Sequence, residues 1–227
     1  MGSATAEMKN IPSAIIDRYP GKMVGHLARK IVALYGSEAK ALLDPYCGSG
    51  ALLAAAKELG IRATGIDINP YAALLSDIKV NGFKKNIAHE KLKSFLKIAR
   101  SNRYVLPMDW EMKRYWFTPV TLKEYESLRG AAKYMQLNKT QSGKAILLAL
   151  ALSARPCSRA DQRSPKPFIS KTAIATRKGK HFDPIKKTEQ MFYLLGQFYG
   201  KDQKQKSLVL CDDITNPNVV HTLGQSY

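Results

Sequence analysis

The chain has 227 residues, 45% of them apolar, and a formal net charge of +18. That length admits one sizeable domain, or one domain with an elaborate insertion, and no apolar run approaches the ~18 residues a membrane span needs. Cys47, Cys157 and Cys211 lie far apart without metal-ligand spacing, so reduced thiols in a cytoplasmic protein, with no metal, are expected; no secretory signal is visible.

The charge is clustered. Lys79 to Arg103 holds eight basic residues against Glu90 alone, and Arg155 to Glu189 holds ten against Asp161, Asp183 and Glu189. Each segment carries +7. A charge run is ordinarily a solvated face. Two of them in a chain this basic point to a polyanionic partner, nucleic acid above all.

In chain order, an irregular piece leads into a helix from about Met23 to Leu34, preceded by the turn Arg18-Tyr19-Pro20-Gly21-Lys22. Ala41-Leu42-Leu43 reads as a short buried strand ending in Asp44, followed by the turn Pro45-Tyr46-Cys47-Gly48-Ser49-Gly50. A run of helix formers, Ala51 to Leu59, is stopped by Gly60. Arg62 to Ile68 is a second apolar strand that ends on Asp67. Strand, glycine turn, helix, strand and acid make half of a nucleotide-binding α/β unit. The glycines let a ligand approach the backbone, and Asp67 lies about 20 residues on, where such folds set a carboxylate on ribose hydroxyls.

The identity of the ligand narrows by elimination. A dinucleotide fingerprint needs a small residue where this chain has Leu53, and no Gly-Lys-Ser/Thr tripeptide of a P-loop occurs. Asp44 at the head of the turn would repel a pyrophosphate and suits a cationic or ammonium-bearing ligand. Asp44-Pro45-Tyr46-Cys47-Gly48-Ser49-Gly50 followed by Gly65-Ile66-Asp67-Ile68-Asn69-Pro70 resembles motifs I and II of class I S-adenosylmethionine-dependent methyltransferases. Within that class the chain is most similar to DNA amino-methyltransferases, which act on adenine N6 or cytosine N4. The resemblance implies S-adenosyl-L-methionine as cofactor and extends to Tyr19, Pro20 and Lys22, which correspond to the element called motif X around the methionine end of the cofactor.

Pro70 to Asn81 is expected as a helix with Pro70 in its first turn and Leu74, Leu75 and Ile78 on one face. Lys84 to Arg100 reads as an amphipathic helix with a stripe of Ile87, Leu92, Phe95, Leu96 and Ala99. An aromatic passage from Tyr104 to Phe117 reads as scaffold, and Thr118-Pro119 as the start of a helix running to Tyr134. A further helix spans Ser142 to Ser153. Arg155 to Lys187, with four prolines and little periodicity, reads as a loop or arm suited to phosphate contacts through Arg155, Arg159, Arg163, Lys166, Lys171, Arg177, Lys178 and Lys180. Thr188 to Tyr199 is helical, with Met191, Leu194, Leu195 and Phe198 as its buried side.

Ser207 to Cys211 is the third strand, and it also ends in acid, Asp212-Asp213. The resemblance places here a carboxylate that meets the adenine of the cofactor. Either acid qualifies; Asp213 is favoured because it is followed by a residue, Ile214, whose backbone N–H can meet the ring. The expected fold is α/β: a Rossmann-like methyltransferase core with a partial sheet and a large, mostly helical insertion between strands two and three. The expected organisation is 1–82 for motif X and strands one and two, 83–206 for a basic insertion that contacts DNA, and 207–227 for the third strand.

The family's catalytic motif, Asp/Asn/Ser-Pro-Pro-aromatic, does not occur within these residues. Ser164-Pro165-Lys166-Pro167-Phe168 and Thr215-Asn216-Pro217-Asn218 are near misses. The expectation is therefore the cofactor-binding part of a DNA methyltransferase of a restriction-modification system, truncated or split, inactive alone and completed by a second polypeptide. The alternatives are an RNA methyltransferase and a non-catalytic nucleic-acid-binding subunit. Catalytic residues are not assigned.

Overall fold

The structure, a computed structural model, describes residues 22–36, 38–164, 166–201, 203 and 206–224. Among these residues the chain is mixed α/β with a small parallel sheet. Helix α1 (Gly25–Tyr35) precedes strand β1 (Ala41–Asp44); α2 (Ala51–Glu58) leads to β2 (Arg62–Asp67), and α3 (Pro70–Asn81) follows. Then come α4 (Lys85–Arg100), α5 (Lys113–Trp116), α6 (Pro119–Tyr134), α7 (Gln141–Cys157), α8 (Lys171–Arg177) and α9 (Pro184–Tyr199), before β3 (Leu208–Cys211) and α10 (Pro217–Gly224). No helix among the described residues is long and apolar enough to cross a membrane.

Two compact units result: one ends at Phe83 and resumes at Lys201, and the other is Lys84–Gly200. In the first, all three strands are parallel in the order β1-β2-β3, with Asp44 beside Gly65 and Asp67 beside Cys211. Parallel strands start their connections from the same end, so the carboxyl ends of all three strands, with Asp44, Asp67 and Asp212, gather on one edge. The core of this unit is small and aliphatic: Ala28 and Val32 of α1, Leu53, Ala55 and Ala56 of α2, and Ala63 of β2. Asn81 closes the gap left by the long excursion. Its amide nitrogen donates to Ser207 O at 2.9 Å and its amide oxygen accepts from Ser207 N at 2.8 Å, while its backbone carbonyl accepts from Gln203 N.

The second unit is helical. Phe95 of α4, Leu128 of α6, Ile146 and Leu148 of α7, and Phe192 and Leu195 of α9 are fully buried. A polar cluster lies inside it: Ser153 Oγ donates to Leu150 O at 2.7 Å, which leaves Tyr125 OH, 2.9 Å away, as donor to Ser153. Burial drives the Tyr125 phenol pKa well up.

The structure departs from several sequence expectations. Ile87 is exposed and Ala88 takes its place in the buried stripe of α4, because the face that packs begins one residue later. In α9, Phe192 is buried and Phe198 is exposed. That helix starts at Pro184, one turn before the expected Thr188, because Asp183 Oδ1 caps Ile185 N and Lys186 N. α7 runs on through Pro156 to Cys157, so Arg155 belongs to a helix. The arm also contains α8, capped by Ser170, whose Oγ accepts from Ala173 N at 2.9 Å.

Candidate functional site

The glycine turn is built from underneath. Gly50, at φ +73°, ends it in a left-handed conformation and starts α2; a Cβ there would lie 2.2 Å from Ser76 Oγ of α3. Gly65 of β2 faces Leu53 of α2, and a Cβ on it would lie 2.5 Å from Leu53 Cδ1. Helix and strand thus approach closely although the helix carries a leucine, because the missing side chain is on the strand. Sequence reading located the large residue, Leu53, and overlooked the glycine that accommodates it; Gly65 within an apolar run was the available signal.

Asp67 organises the ligand side. Its Oδ2 accepts from Gly48 N and its Oδ1 from Asn69 N, both at 2.8 Å, and its backbone carbonyl accepts from Asp212 N at 3.2 Å. One residue therefore ties the turn after β1 to the ends of β2 and β3. Asp44 Oδ1 accepts from Tyr46 N at 3.2 Å. Burial raises the Asp44 pKa, the Tyr46 hydrogen bond opposes this, and the nearby Asp67 charge adds to it. Cys47 is buried beneath the turn, its thiol pushed up to about 11 mainly by burial, and it serves as packing.

A cavity of about 370 Å³ opens here, lined by Lys22, Asp44, Tyr46, Cys47, Gly48, Ser49 and Asp67 among others. This volume falls in the roughly 300–1,000 Å³ range of small-molecule sites. Of the sequence-predicted cofactor residues, these seven come together. Pro45 and Gly50 shape the turn, and Ile68 and Asn69 follow Asp67 at the mouth of β2. Asp212, Asp213 and Ile214 sit beyond β3 and do not line the cavity. Asp213 Oδ1 accepts from Thr215 N and Thr215 Oγ1, which lower its pKa, and Asp212 Oδ1 accepts from Asp213 N at 2.8 Å and Asn216 Nδ2 at 3.1 Å. Tyr19 and Pro20 lie outside the described residues.

The residues present fit S-adenosyl-L-methionine. Each oxygen of Asp67 is engaged by one backbone N–H and keeps a lone pair for a ribose hydroxyl. Asp44 sets a carboxylate where an ammonium or sulfonium would be matched.

Asn216-Pro217-Asn218 has a structural task. Asn216 Oδ1 accepts from Asn218 N at 3.0 Å and Pro217 opens α10, just as Asn69 Oδ1 accepts from Tyr71 N at 3.0 Å ahead of Pro70. Both Asn-Pro pairs start a helix after a strand.

In the helical unit, tertiary structure separates the predicted phosphate-binding residues into two groups. Arg155 Nη2 donates to Asp161 O and Ser164 O, and Arg159 Nη1 donates to Arg114 O at 3.2 Å. Arg163 forks onto Asp161, its Nε 3.0 Å from Oδ1 and its Nη2 2.7 Å from Oδ2. Arg177 donates to Pro156 O and stacks over the Phe182 ring at 3.7 Å. The arginines brace the segment through these bonds, although Arg159 and Arg163 remain exposed, as do Lys166, Lys171, Lys178 and Lys180. Asp161 is the centre of that bracing: buried, it also accepts from Ser170 Oγ and Arg163 N, and these bonds, led by the Arg163 fork, hold its pKa far below the ordinary aspartate range.

Comparison with known proteins finds a family match within the first unit. Residues 3–77 match the family described as DNA methylase. Over 107 residues the chain is 29% identical to the type II methyltransferase M.MjaII of Methanocaldococcus jannaschii, covering 44% of this chain and 20% of that protein. Over 92 residues it is 36% identical to a tRNA (guanine(10)-N2)-dimethyltransferase of Methanothermobacter thermautotrophicus, covering 40% of this chain and 25% of the other. The chain thus spans between a fifth and a quarter of the length of these relatives. No solved structure matches it significantly. The glycine turn and the paired acids Asp44 and Asp67 lie within the segment, residues 3–77, that is similar to the DNA methylase family.

Proposed function

We propose that the chain binds S-adenosyl-L-methionine in the 370 Å³ cavity and serves methyl transfer to an exocyclic amine of adenine or cytosine in duplex DNA. The observation that carries this reading is the convergence of Asp44, Asp67 and the glycine turn on one cavity within the segment that matches the DNA methylase family. Asp67 accepts from the ribose, the Gly48 and Ser49 backbone gives the methionine end close approach, and Asp44 matches its positive charge. When bound, the cofactor supplies an electrophilic methyl group. Asp213 and Ile214, at the mouth of β3, are proposed to edge the adenine.

An exocyclic amine is a weak nucleophile, because its lone pair is delocalised into the ring, and it needs oriented acceptors. Asp44 and Asp67 are assigned to the cofactor, Asn216 caps a helix, and no Pro-Pro-aromatic motif occurs in these residues. The amine acceptor is therefore proposed to come from a partner polypeptide or from further residues of a longer chain, in a cytoplasmic restriction-modification system. The basic helical segment 84–200 is proposed as the DNA-contacting insertion. RNA is the second reading, favoured by the 36% identity to a tRNA methyltransferase.

Titration calorimetry with S-adenosylhomocysteine tests the cofactor reading. Wild-type protein binds, and Asp67→Ala binds more weakly by about 1–3 kcal/mol, the value of a charged hydrogen bond. No heat from folded wild-type protein, or equal affinity in the variant, overturns it. Competition between duplex DNA and tRNA for the same protein separates the two substrate readings.

A further inference from the structure

A second cavity, of about 640 Å³, lies wholly within the helical unit, between the start of α6, the end of α7, α8 and the 178–182 loop. Its chemistry differs from that of the cofactor site. Val120 and Ile174 form apolar lining and are each 58% exposed, so two aliphatic side chains stand unburied at one opening. Beside them Arg177 and Phe182 make a planar stacked pair, fixed by the hydrogen bond from Arg177 to Pro156 O. Lys178 and Lys180 stand exposed at the rim, on either side of Gly179. No aspartate or glutamate is among the lining residues. The neighbouring carboxylates are occupied: Glu124 Oε2 lies 2.8 Å from His181 Nε2, and Asp183 caps α9.

An apolar surface, a flat aromatic–guanidinium pair and rim ammonium groups with no carboxylate among the lining residues match a ligand that is flat and apolar in the middle and anionic at both ends. A nucleotide within a strand has that form. A base in intact duplex keeps its faces stacked on its neighbours, so only an unpaired one can present them. The volume also falls within the roughly 300–1,000 Å³ of sites that enclose one small-molecule-sized group.

We propose that this cavity receives one unpaired nucleotide, its base against Val120, Ile174 and the Arg177–Phe182 pair, its flanking phosphates on Lys178 and Lys180. The inference rests on the nucleic-acid reading above and adds to it: the helical unit prefers nucleic acid with a base out of its stack, in a cavity that shares no lining residue with the cofactor cavity.

The test uses the full chain and two DNA probes, a duplex and the same duplex with a single-nucleotide bulge of 2-aminopurine. Wild-type protein binds the bulged probe about tenfold tighter, as expected for one stacked base, and the 2-aminopurine fluorescence changes on binding. Val120→Ser with Ile174→Ser removes apolar contact at two solvent-facing positions, so folding is not at stake. The double variant keeps its affinity for the intact duplex and loses the preference for the bulge. Equal affinity of wild-type protein for the two probes overturns the cavity proposal and leaves duplex binding standing, as does a preference that survives in the double variant. Failure to bind either probe overturns both readings. Loss of the bulge preference in the presence of poly-glutamate, with duplex affinity kept, assigns the cavity to an acidic peptide and overturns the proposal.

Discussion

Asn81 and Ser207 are 126 residues apart and exchange two hydrogen bonds through one side chain. The Asn81 amide imitates a peptide group, pairing with both the N–H and the C=O of Ser207 just before β3 begins. Its Nδ2 also donates to Asp77 Oδ1 at 2.7 Å, so its amide donors and acceptor are all engaged and its orientation is set. The geometry explains how a strand that returns after a long helical excursion finds its register beside β2.

Asn81→Ala is therefore expected to destabilise the protein beyond the loss of one side-chain hydrogen bond. It leaves the N–H and C=O of Ser207 and the Asp77 carboxylate without this partner, and each buried unsatisfied group costs about 1–3 kcal/mol. Denaturant unfolding followed by circular dichroism measures the loss. A change below about 1 kcal/mol would show that the return of the chain is specified elsewhere.

The packing of α2 on β2 depends on Gly65. Gly65→Ala places a Cβ within 2.5 Å of Leu53 Cδ1 and is expected to cost about 1–3 kcal/mol through overpacking. Leu53→Ala alone leaves a cavity and costs about 2–5 kcal/mol. Combining the two returns part of the loss, because the new methyl enters the vacated space. Strictly additive losses in a double-mutant cycle would contradict the contact.

Asp44 carries a pH signature. Its pKa is raised in the fold, by burial and then by the Asp67 charge, so the unfolded chain holds the proton less tightly. The stability this carboxyl contributes is present below the ordinary aspartate pKa of about 3.9 and disappears as pH rises through the higher folded value. Asp44→Asn should accordingly unfold at a higher temperature than wild type at pH 7, with the gap closing toward pH 4. The same variant should bind S-adenosylhomocysteine less well. A variant that is less stable at pH 7 would mean that the charge is matched within the protein itself.

The difference between Arg163, paired with Asp161, and the exposed lysines Lys171, Lys178 and Lys180 can be read in salt dependence. Each lysine that neutralises a phosphate contributes about 0.9 to the slope of log affinity against log salt. Replacing Lys171, Lys178 and Lys180 with alanine is expected to flatten that slope. Arg163→Ala is expected to change it little, because Asp161 already neutralises the guanidinium. A larger slope change for Arg163 than for the three lysines together would reverse the assignment.

Much of the first unit was legible in the sequence, because its signals are local. Strand, glycine turn, helix and acid each follow from a few adjacent residues: the Ala-rich run of α2, Pro70 in the first turn of α3, the Gly60 stop. The second unit was less legible where the decisive partners are distant or ambiguous. Prolines in the Arg155 to Lys187 segment signalled a loop, yet Pro156 closes a helix and Pro184 opens one, a difference decided by neighbouring caps and not by the proline. Ten cations there read as one charged arm. Only the folded chain, by burying Asp161 among them, gave the arginines carbonyl and carboxylate partners within the protein, with Arg159 and Arg163 still open to solvent, since a charge's role depends on which opposite charges and carbonyls surround it. The acids at the strand ends were visible from their positions along the chain. That they meet on one edge follows from parallel pairing, a relation between segments far apart in sequence that only the tertiary structure decides.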